Sequence, residues 1–203
     1  MKIECFEQGS IGTNCYIVYD EVSRNAFCVD VSDRIYPSFY AFIQTHQLNI
    51  QYVLLTHGHY DHASDIKAFC SRYPAAKVVI SIEDDANIRK GLSVFCHPSD
   101  YVEPTVLVED GDTLDFCGKE ILVIATPGHT SGSVCYLFED ALFCGDTVFY
   151  GSIGRTDVPT GSFFEIMKSV SKISRLGNYK LFPGHMQTTD IPTQRKVNPY
   201  FRE

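Results

Sequence analysis

No stretch of this 203-residue chain approaches the ~20 consecutive apolar residues that span a bilayer. Its first residues, Met1-Lys2-Ile3-Glu4-Cys5-Phe6-Glu7, lack the continuous apolar core of a signal peptide. Both absences predict a cytoplasmic protein with no membrane partner. Low-complexity segments, charge blocks and Pro/Ser-rich linkers are missing too, so a single domain over residues 1–203 is expected. Positive charge is scarce: 17 Lys and Arg against 25 Asp and Glu leave a net charge of −8. That balance disfavours nucleic acid or an anionic membrane as the main partner. The eight cysteines (Cys5, Cys15, Cys28, Cys70, Cys96, Cys117, Cys135 and Cys144) are scattered and form no C-x-x-C pair. In a chain this long with no export signal they read as reduced, mostly buried thiols.

Short runs rich in β-branched and aromatic residues, bounded by turn formers, predict strands at 3–6, 14–19 and 26–31. A helix is expected over 37–47, and an apolar strand at 52–55 leads straight into a histidine-rich run. Beyond that run, Ile66, Phe69, Cys70 and Tyr73 recur at i, i+3, i+4 and i+7, one apolar helix face stopped by Pro74. A strand at 77–81 and a short helix from Glu83 follow. Residues 112–144 read as consecutive strands, including 121–125, 134–138 and 141–143. A helix over 162–176 then precedes a strand at 180–182. Strands and helices occur in both halves, which predicts a layered α/β fold.

Five of the seven histidines lie in three short patterns. These are Thr56-His57-Gly58-His59-Tyr60-Asp61-His62, Thr126-Pro127-Gly128-His129-Thr130 and Pro183-Gly184-His185, with Gly145-Asp146-Thr147 between the last two. Each follows closely after a short apolar strand, where α/β folds place their chemistry. In an extended segment His57 and His59 lie on one side and grip one cation. Asp61 and His62 start a helix, where neighbours diverge, so they face a second cation. His129 and His185 then complete one metal each, and Asp146, with two carboxylate oxygens, bridges them. All-N/O ligation suits zinc, with iron or manganese also chemically acceptable. Thr130 and Thr147 are candidates for outer hydrogen bonds that orient ligands. His46 and His97 lack such context and read as ordinary surface or helix-end residues.

These four motifs, in this order, resemble the metallo-β-lactamase superfamily, and around 56–62, 126–133 and 142–149 its glyoxalase II (hydroxyacylglutathione hydrolase) branch. The resemblance implies an αβ/βα four-layer sandwich with the site at one edge of two facing sheets. It assigns His57, His59 and His129 to a first metal, Asp61, His62 and His185 to a second, and Asp146 to the bridge. Two features depart from close relatives of that family. Asp146 stands where typical zinc β-lactamases have cysteine. The chain also ends soon after His185, without the C-terminal helical domain that supplies much of the glutathione contact in full-length glyoxalase II. Its tail, Asn198-Pro199-Tyr200-Phe201, is similar to the ending of the compact, single-domain members.

The activity this resemblance implies is hydrolysis of a small thioester such as S-lactoylglutathione by a metal-bridging hydroxide. Asp61 also orients that hydroxide in this reading, and a thiolate leaves without a strong general acid. A basic residue near Arg155 contacts the anionic glutathione part in the family, with a surface ion-paired arginine as the plain alternative. Phe149 and Tyr150 are candidate pocket walls. Persulfide dioxygenases share the fold and the Gly154-Arg155-Thr156-Asp157 pattern, and use only the matches to His57, His129 and Asp146 around a single iron. Hydrolases of other esters or lactones, and a non-catalytic metal-binding protein, are further readings of the same ligand set.

Overall fold

The computed structural model describes residues 1–32, 37–93 and 101–201. A first sheet has the order β1 (Lys2–Gln8), β2 (Thr13–Tyr19), β3 (Asn25–Val29), β4 (Asn49–Leu54), β5 (Lys77–Ser81), β6 (Val106–Val108). Its first three strands run antiparallel and β3 to β6 run parallel. A second sheet contains β7 (Thr113–Phe116), β8 (Lys119–Ala125), β9 (Val134–Phe138) and β10 (Ala141–Gly145). The chain then forms a separate small hairpin, β11 (Val148–Phe149) with β12 (Ser152–Ile153). It returns to the second sheet with β13 (Lys180–Pro183), parallel to β10, and β14 (Thr189–Asp190). Helices α1 (Pro37–Thr45), α2 (Tyr60–Ala63), α3 (Ile66–Arg72) and α4 (Ile82–Arg89) connect strands of the first sheet. Helices α5 (Phe163–Ser174) and α6 (Ile191–Val197) belong with the second.

The layering follows from strands that are apolar on both faces. In β2, Cys15, Ile17 and Tyr19 pack outward with Phe39 and Ile43 of α1 and Phe69 of α3, whereas Tyr16 and Val18 join the core between the sheets. In β10, Phe143 faces that central core, while Leu142 and Cys144 pack outward with Ile166, Val170 and Ile173 of α5. This period of two puts one apolar set against helices and the other against the opposite sheet. The result is a four-layer αβ/βα sandwich. At its centre the Phe27 ring meets Phe116, Phe138 and Phe143 edge-on, with centroids 4.9, 5.4 and 6.1 Å apart, the favoured geometry for aromatic pairs.

Most expected elements appear within a residue or two of their predicted ends. The helix after the histidine run differs. It is broken into the single turn α2 and the separate α3, with Ser64 and Asp65 between them. Strands β6, β11, β12 and β14 are only two or three residues long, too short for periodicity to reveal. Helix α6, with Pro192 in its first turn and a short mixed pattern, leaves no clear periodic trace either. Four described cysteines (15, 28, 135 and 144) are buried, and burial pushes their thiols up. Cys70 is half-buried, and Cys5 and Cys117 are exposed. Cys5 lies on the edge strand β1, and Cys117 sits at φ +54° in the turn between β7 and β8. His46 stacks on Phe42 just beyond α1. His97 and Cys96 lie outside the described residues. Among the described residues, no helix is long and apolar enough to cross a membrane.

Because Phe27 is fully buried between both sheets, Phe27→Ala is expected to cost about 3–5 kcal/mol of stability. The chain has no tryptophan, so urea unfolding followed by far-UV circular dichroism is the appropriate measurement. A loss below about 1 kcal/mol would mean that the two sheets are not held through this ring.

Candidate metal centre

The loops carrying the seven predicted ligands meet at one edge of the sandwich. His57 and His59 follow β4, and Asp61 and His62 lie on α2. His129 follows β8, Asp146 follows β10 and His185 follows β13. These three strands run in the same direction, because β8 and β10 flank the antiparallel β9, and β13 is parallel to β10. Their C-terminal ends therefore open at one edge.

Ligand atoms within 4.8 Å of one another form three overlapping groups: His57, His59 and His129; His57, His62 and Asp146; and Asp61, His62 and His185. His129 Nε2 lies 2.8 Å from His59 Nδ1. Asp61 Oδ2 is 3.2 Å from His62 Nε2 and 3.1 Å from His185 Nε2. Asp146 divides its two oxygens. Oδ1 lies 3.4 Å from His62 Nε2, and Oδ2 lies 3.4 Å from His129 Nε2 and 3.6 Å from His185 Nε2. A carboxylate so placed can serve two cations at once.

Outer partners fix four of the imidazoles with Nε2 inward. His129 Nδ1–H donates to the Arg155 carbonyl (2.7 Å), and His185 Nδ1–H donates to the Gly12 carbonyl (3.2 Å). His62 Nδ1–H donates to Asp30 Oδ2 at 2.8 Å. Thr56 Oγ1 gives its proton to the same carboxylate (2.8 Å), so His57 Nδ1–H donates to Thr56 Oγ1 at 3.1 Å. In each of these rings Nε2 is then the nitrogen turned toward the centre, the arrangement that orients histidines on metals. Among the described residues, six buried side-chain atoms lack a hydrogen-bond partner, and four belong to these groups: His57 Nε2, His59 Nε2, His62 Nε2 and Asp146 Oδ1, the others being Ser64 Oγ and Tyr73 Oη. Orphaned buried polar atoms are rare and need an explanation. Donors converging from two sheets fit a pair of divalent ions.

Two buried carboxylates that the sequence did not single out hold this frame. Asp30, at φ +59°, accepts from Thr56 N–H (2.8 Å) as well as from Thr56 Oγ1 and His62. Asp84, on α4, accepts from Gly58 N–H (2.9 Å) and Thr130 Oγ1 (2.8 Å), so it binds the His57–His59 turn to the His129 loop. Burial pushes the Asp84 carboxyl up, against those hydrogen bonds. Thr147 Oγ1 meets Thr126 Oγ1 at 3.0 Å, joining the Asp146 and His129 loops. Thr130 and Thr147 thus steady loops rather than ligand side chains. A lone Asp after an apolar strand looks like any turn former, and only its position beside β4 distinguishes Asp30.

Space at the centre comes from missing side chains. A Cβ at Gly184 would run into Asp146 Oδ1 and the His62 ring, and one at Gly145, at φ +45°, would sit 2.6 Å from Thr56 Oγ1. Electrostatics divide the site. Burial holds His57 well below its ordinary value and brings His59 down to about 3, so both stay neutral. His62 is also buried, but the carboxylates of Asp61, Asp30 and Asp146 outweigh burial and raise it well above the usual range. Burial would raise Asp61 and Asp146, yet His62 and its neighbours lower both, Asp146 to about 2.

A cavity of about 450 Å³ opens onto these groups. His59, Asp61, His129, Asp146 and His185 form its floor, and Ile11, Phe149, Ile153 and Val158 give it apolar walls. Arg155 is at its rim, where the guanidinium holds Asp157 through two hydrogen bonds of 2.8 and 2.9 Å. Tyr150, 38 % exposed at the tip of the β11–β12 hairpin, stands outside this lining set. A broader groove along α5, lined by Phe164, Met167 and Lys168 among others, contains none of the seven groups.

The metallo-beta-lactamase superfamily model matches residues 27–185. An uncharacterized protein of Mycobacterium leprae is 33 % identical, with 98 % of each chain covered. The hydroxyacylglutathione hydrolase of Francisella philomiragia is 31 % identical over 89 % of this chain, which spans only 65 % of that enzyme. Among solved structures, the BLEG-1 B3 metallo-beta-lactamase superposes with a TM-score of 0.85 at 25 % identity, covering 100 % of both chains. ETHE1 from Myxococcus xanthus gives 0.79 at 26 %, covering 98 % of this chain and 84 % of that one. TTHA1623 in a di-iron-bound form gives 0.79 at 25 %, covering 97 % and 99 %.

Asp30→Asn keeps the size of the side chain but leaves one oxygen to accept what two accepted. Metal affinity is expected to fall about 10- to 100-fold, as when outer partners of metal ligands are removed. Competition with a chromophoric chelator measures it. Unchanged affinity would show that Asp30 serves only the fold.

Proposed function

Because the chain belongs to the metallo-β-lactamase superfamily, we propose that it is a metal-dependent hydrolase with a dinuclear centre that cleaves a small thioester. The observation carrying this reading is the completeness of both ligand groups around a shared Asp146. His57, His59 and His129 would hold one divalent ion, Asp61, His62 and His185 the other, and Asp146 both. Zinc is the expected metal on donor chemistry, with iron or manganese acceptable to the same nitrogens and oxygens. Bound there, such a pair lowers the pKa of water toward neutrality and polarises a carbonyl.

The chain's own groups prepare the rest. Asp61 is fixed by Thr13 Oγ1, which donates to its Oδ2 (3.1 Å), and by His62 and His185. It therefore presents a carboxylate toward the floor of the cavity, in place to orient a water. The apolar walls from Ile11, Phe149, Ile153 and Val158 suit an acyl group and exclude water from around it. Arg155 is the rim cation available to an anionic thiol portion such as glutathione, once Asp157 yields it. Tyr150, expected as a pocket wall, has no part in this arrangement. A thiolate departs without proton donation, so the reaction asks for no general acid at the floor. A small-molecule partner, rather than nucleic acid, accords with the net charge of −8.

The intact second group, Asp61, His62 and His185, favours two metals over the single iron of a persulfide dioxygenase. The test is elemental analysis of protein purified without added metal, followed by a thioester panel that includes S-lactoylglutathione. Close to two metals per chain and thioester turnover are expected. Asp146→Ala should lower kcat/KM at least about a hundredfold, more than losing an outer partner costs. One iron per chain with persulfide-dependent oxygen uptake would replace this reading, and full activity in Asp146→Ala would end it.

A further inference from the structure

The wall of the cavity is built on a fragile element. Hairpin β11–β12 supplies Phe149, Ser152 and Ile153 to the lining, yet each strand has two residues. A hairpin this short is not stable by itself. It also lies between two parts of the metal centre: Asp146 precedes it and the Arg155 carbonyl that holds His129 follows it. The Phe149 ring lies 5.9 Å from the His185 ring, centroid to centroid.

What anchors it is a pair of buried amides on and just beyond α6. Gln194 is 0 % and Asn198 1 % exposed. Gln194 Oε1 accepts from Gly151 N–H at the hairpin turn (3.0 Å). Asn198 Nδ2 uses its two hydrogens on the Ser152 carbonyl (2.9 Å) and Gln194 Oε1 (3.0 Å), with a longer, shared contact to the Phe149 carbonyl (3.4 Å). Gln194 Nε2 donates to Thr189 Oγ1 (2.9 Å), and Asn198 Oδ1 accepts from Tyr200 N–H (3.0 Å). The hairpin's own groups dictate both amide orientations, since Gly151 N–H requires an acceptor and the two carbonyls require a donor. Every polar atom of the two side chains is thus committed. Buried amides satisfied this fully specify one arrangement of what they hold.

We infer that Gln194 and Asn198 are positioning residues for substrate. They touch neither metal ligands nor the cavity, but fix the height and tilt of the Phe149–Ile153 wall and so set which acyl groups fit. This rests on the hydrolase reading above. The Asn198-Pro199-Tyr200-Phe201 tail acquires a role in the same way, because it closes the end of α6 so that Asn198 faces the hairpin.

Two variants test it. Asn198→Asp is isosteric and keeps the oxygen that accepts from Tyr200, but loses the donor to the hairpin carbonyls. Gln194→Leu removes the acceptor for Gly151. Hydrogen exchange should speed up at residues 148–153 while residues 57–62 stay protected, with metal content unchanged. KM for the preferred thioester should rise about tenfold, the worth of one or two buried hydrogen bonds, with kcat within about twofold. Asn198→Gln, which keeps the donor, should recover part of the loss. Equilibrium dialysis of 4-mercaptobenzoate against the metal-loaded variants gives a readout that does not depend on turnover. Its affinity should fall by a similar factor even if the wild type hydrolyses no thioester, which would count against the hydrolase reading alone. Loosened exchange with unchanged KM and unchanged probe affinity would overturn the inference. So would metal content and kcat falling together, because the amides would then serve the metal centre itself.

Discussion

A buried carboxylate without compensation is among the costliest things a fold can contain, and Asp30 shows how this molecule uses that cost. Its two oxygens are met by the Thr56 amide, the Thr56 hydroxyl and the His62 imidazole. Those three donors come from the end of β4 and from α2, so satisfying one charge dictates the path of the chain through the histidine run. The dihedral of Asp30 itself is left-handed, a conformation that Asp tolerates better than most residues. Asp84 repeats the device across the sheet edge, tying the same run to the loop of His129. The centre is therefore framed by hydrogen bonds before any cation arrives.

Both framing groups depend on the layers beneath them. Asp30 follows β3 directly, and β3 is held in register by the antiparallel β2 and the parallel β4. The loop of His185 is fastened to β2 as well. Asn14 N–H donates to the Gly184 carbonyl (2.7 Å), and Tyr16 O–H donates to the Pro183 carbonyl (2.6 Å). Since Tyr16 is also a ring of the central core, packed on Phe143 and Phe182, apolar contact between the sheets and placement of the last histidine share one side chain.

What could be read from the residues alone follows from what leaves a local trace. The central strands and α5 were legible because alternation and helical spacing persist over five or more residues. The seven candidate ligands were legible because imidazoles and carboxylates stood at chelating intervals beside strand ends, and the fold does bring them together. Asp30 and Asp84 were not, because a single carboxylate carries no spacing and its partners lie 26 to 46 residues away. The β11–β12 hairpin was hidden by its length. Tyr150 stands in the turn just past Phe149, outside the cavity lining, and alternation too short to detect cannot say which aromatic turns inward.

The seven groups are spread from residue 57 to residue 185 and depend on both sheets. While the chain is being synthesised, the run from His57 to His62 emerges long before Asp146 and His185 exist. Until those later residues are in place, it carries only part of each ligand group. Closure requires the chain to pass through α5 before β13 can dock parallel to β10, so the loop between them must close before His185 is placed. A complete donor set is thereby deferred to a nearly finished molecule, so that any ion needing ligands from both sheets would be held only once the chain had assembled correctly.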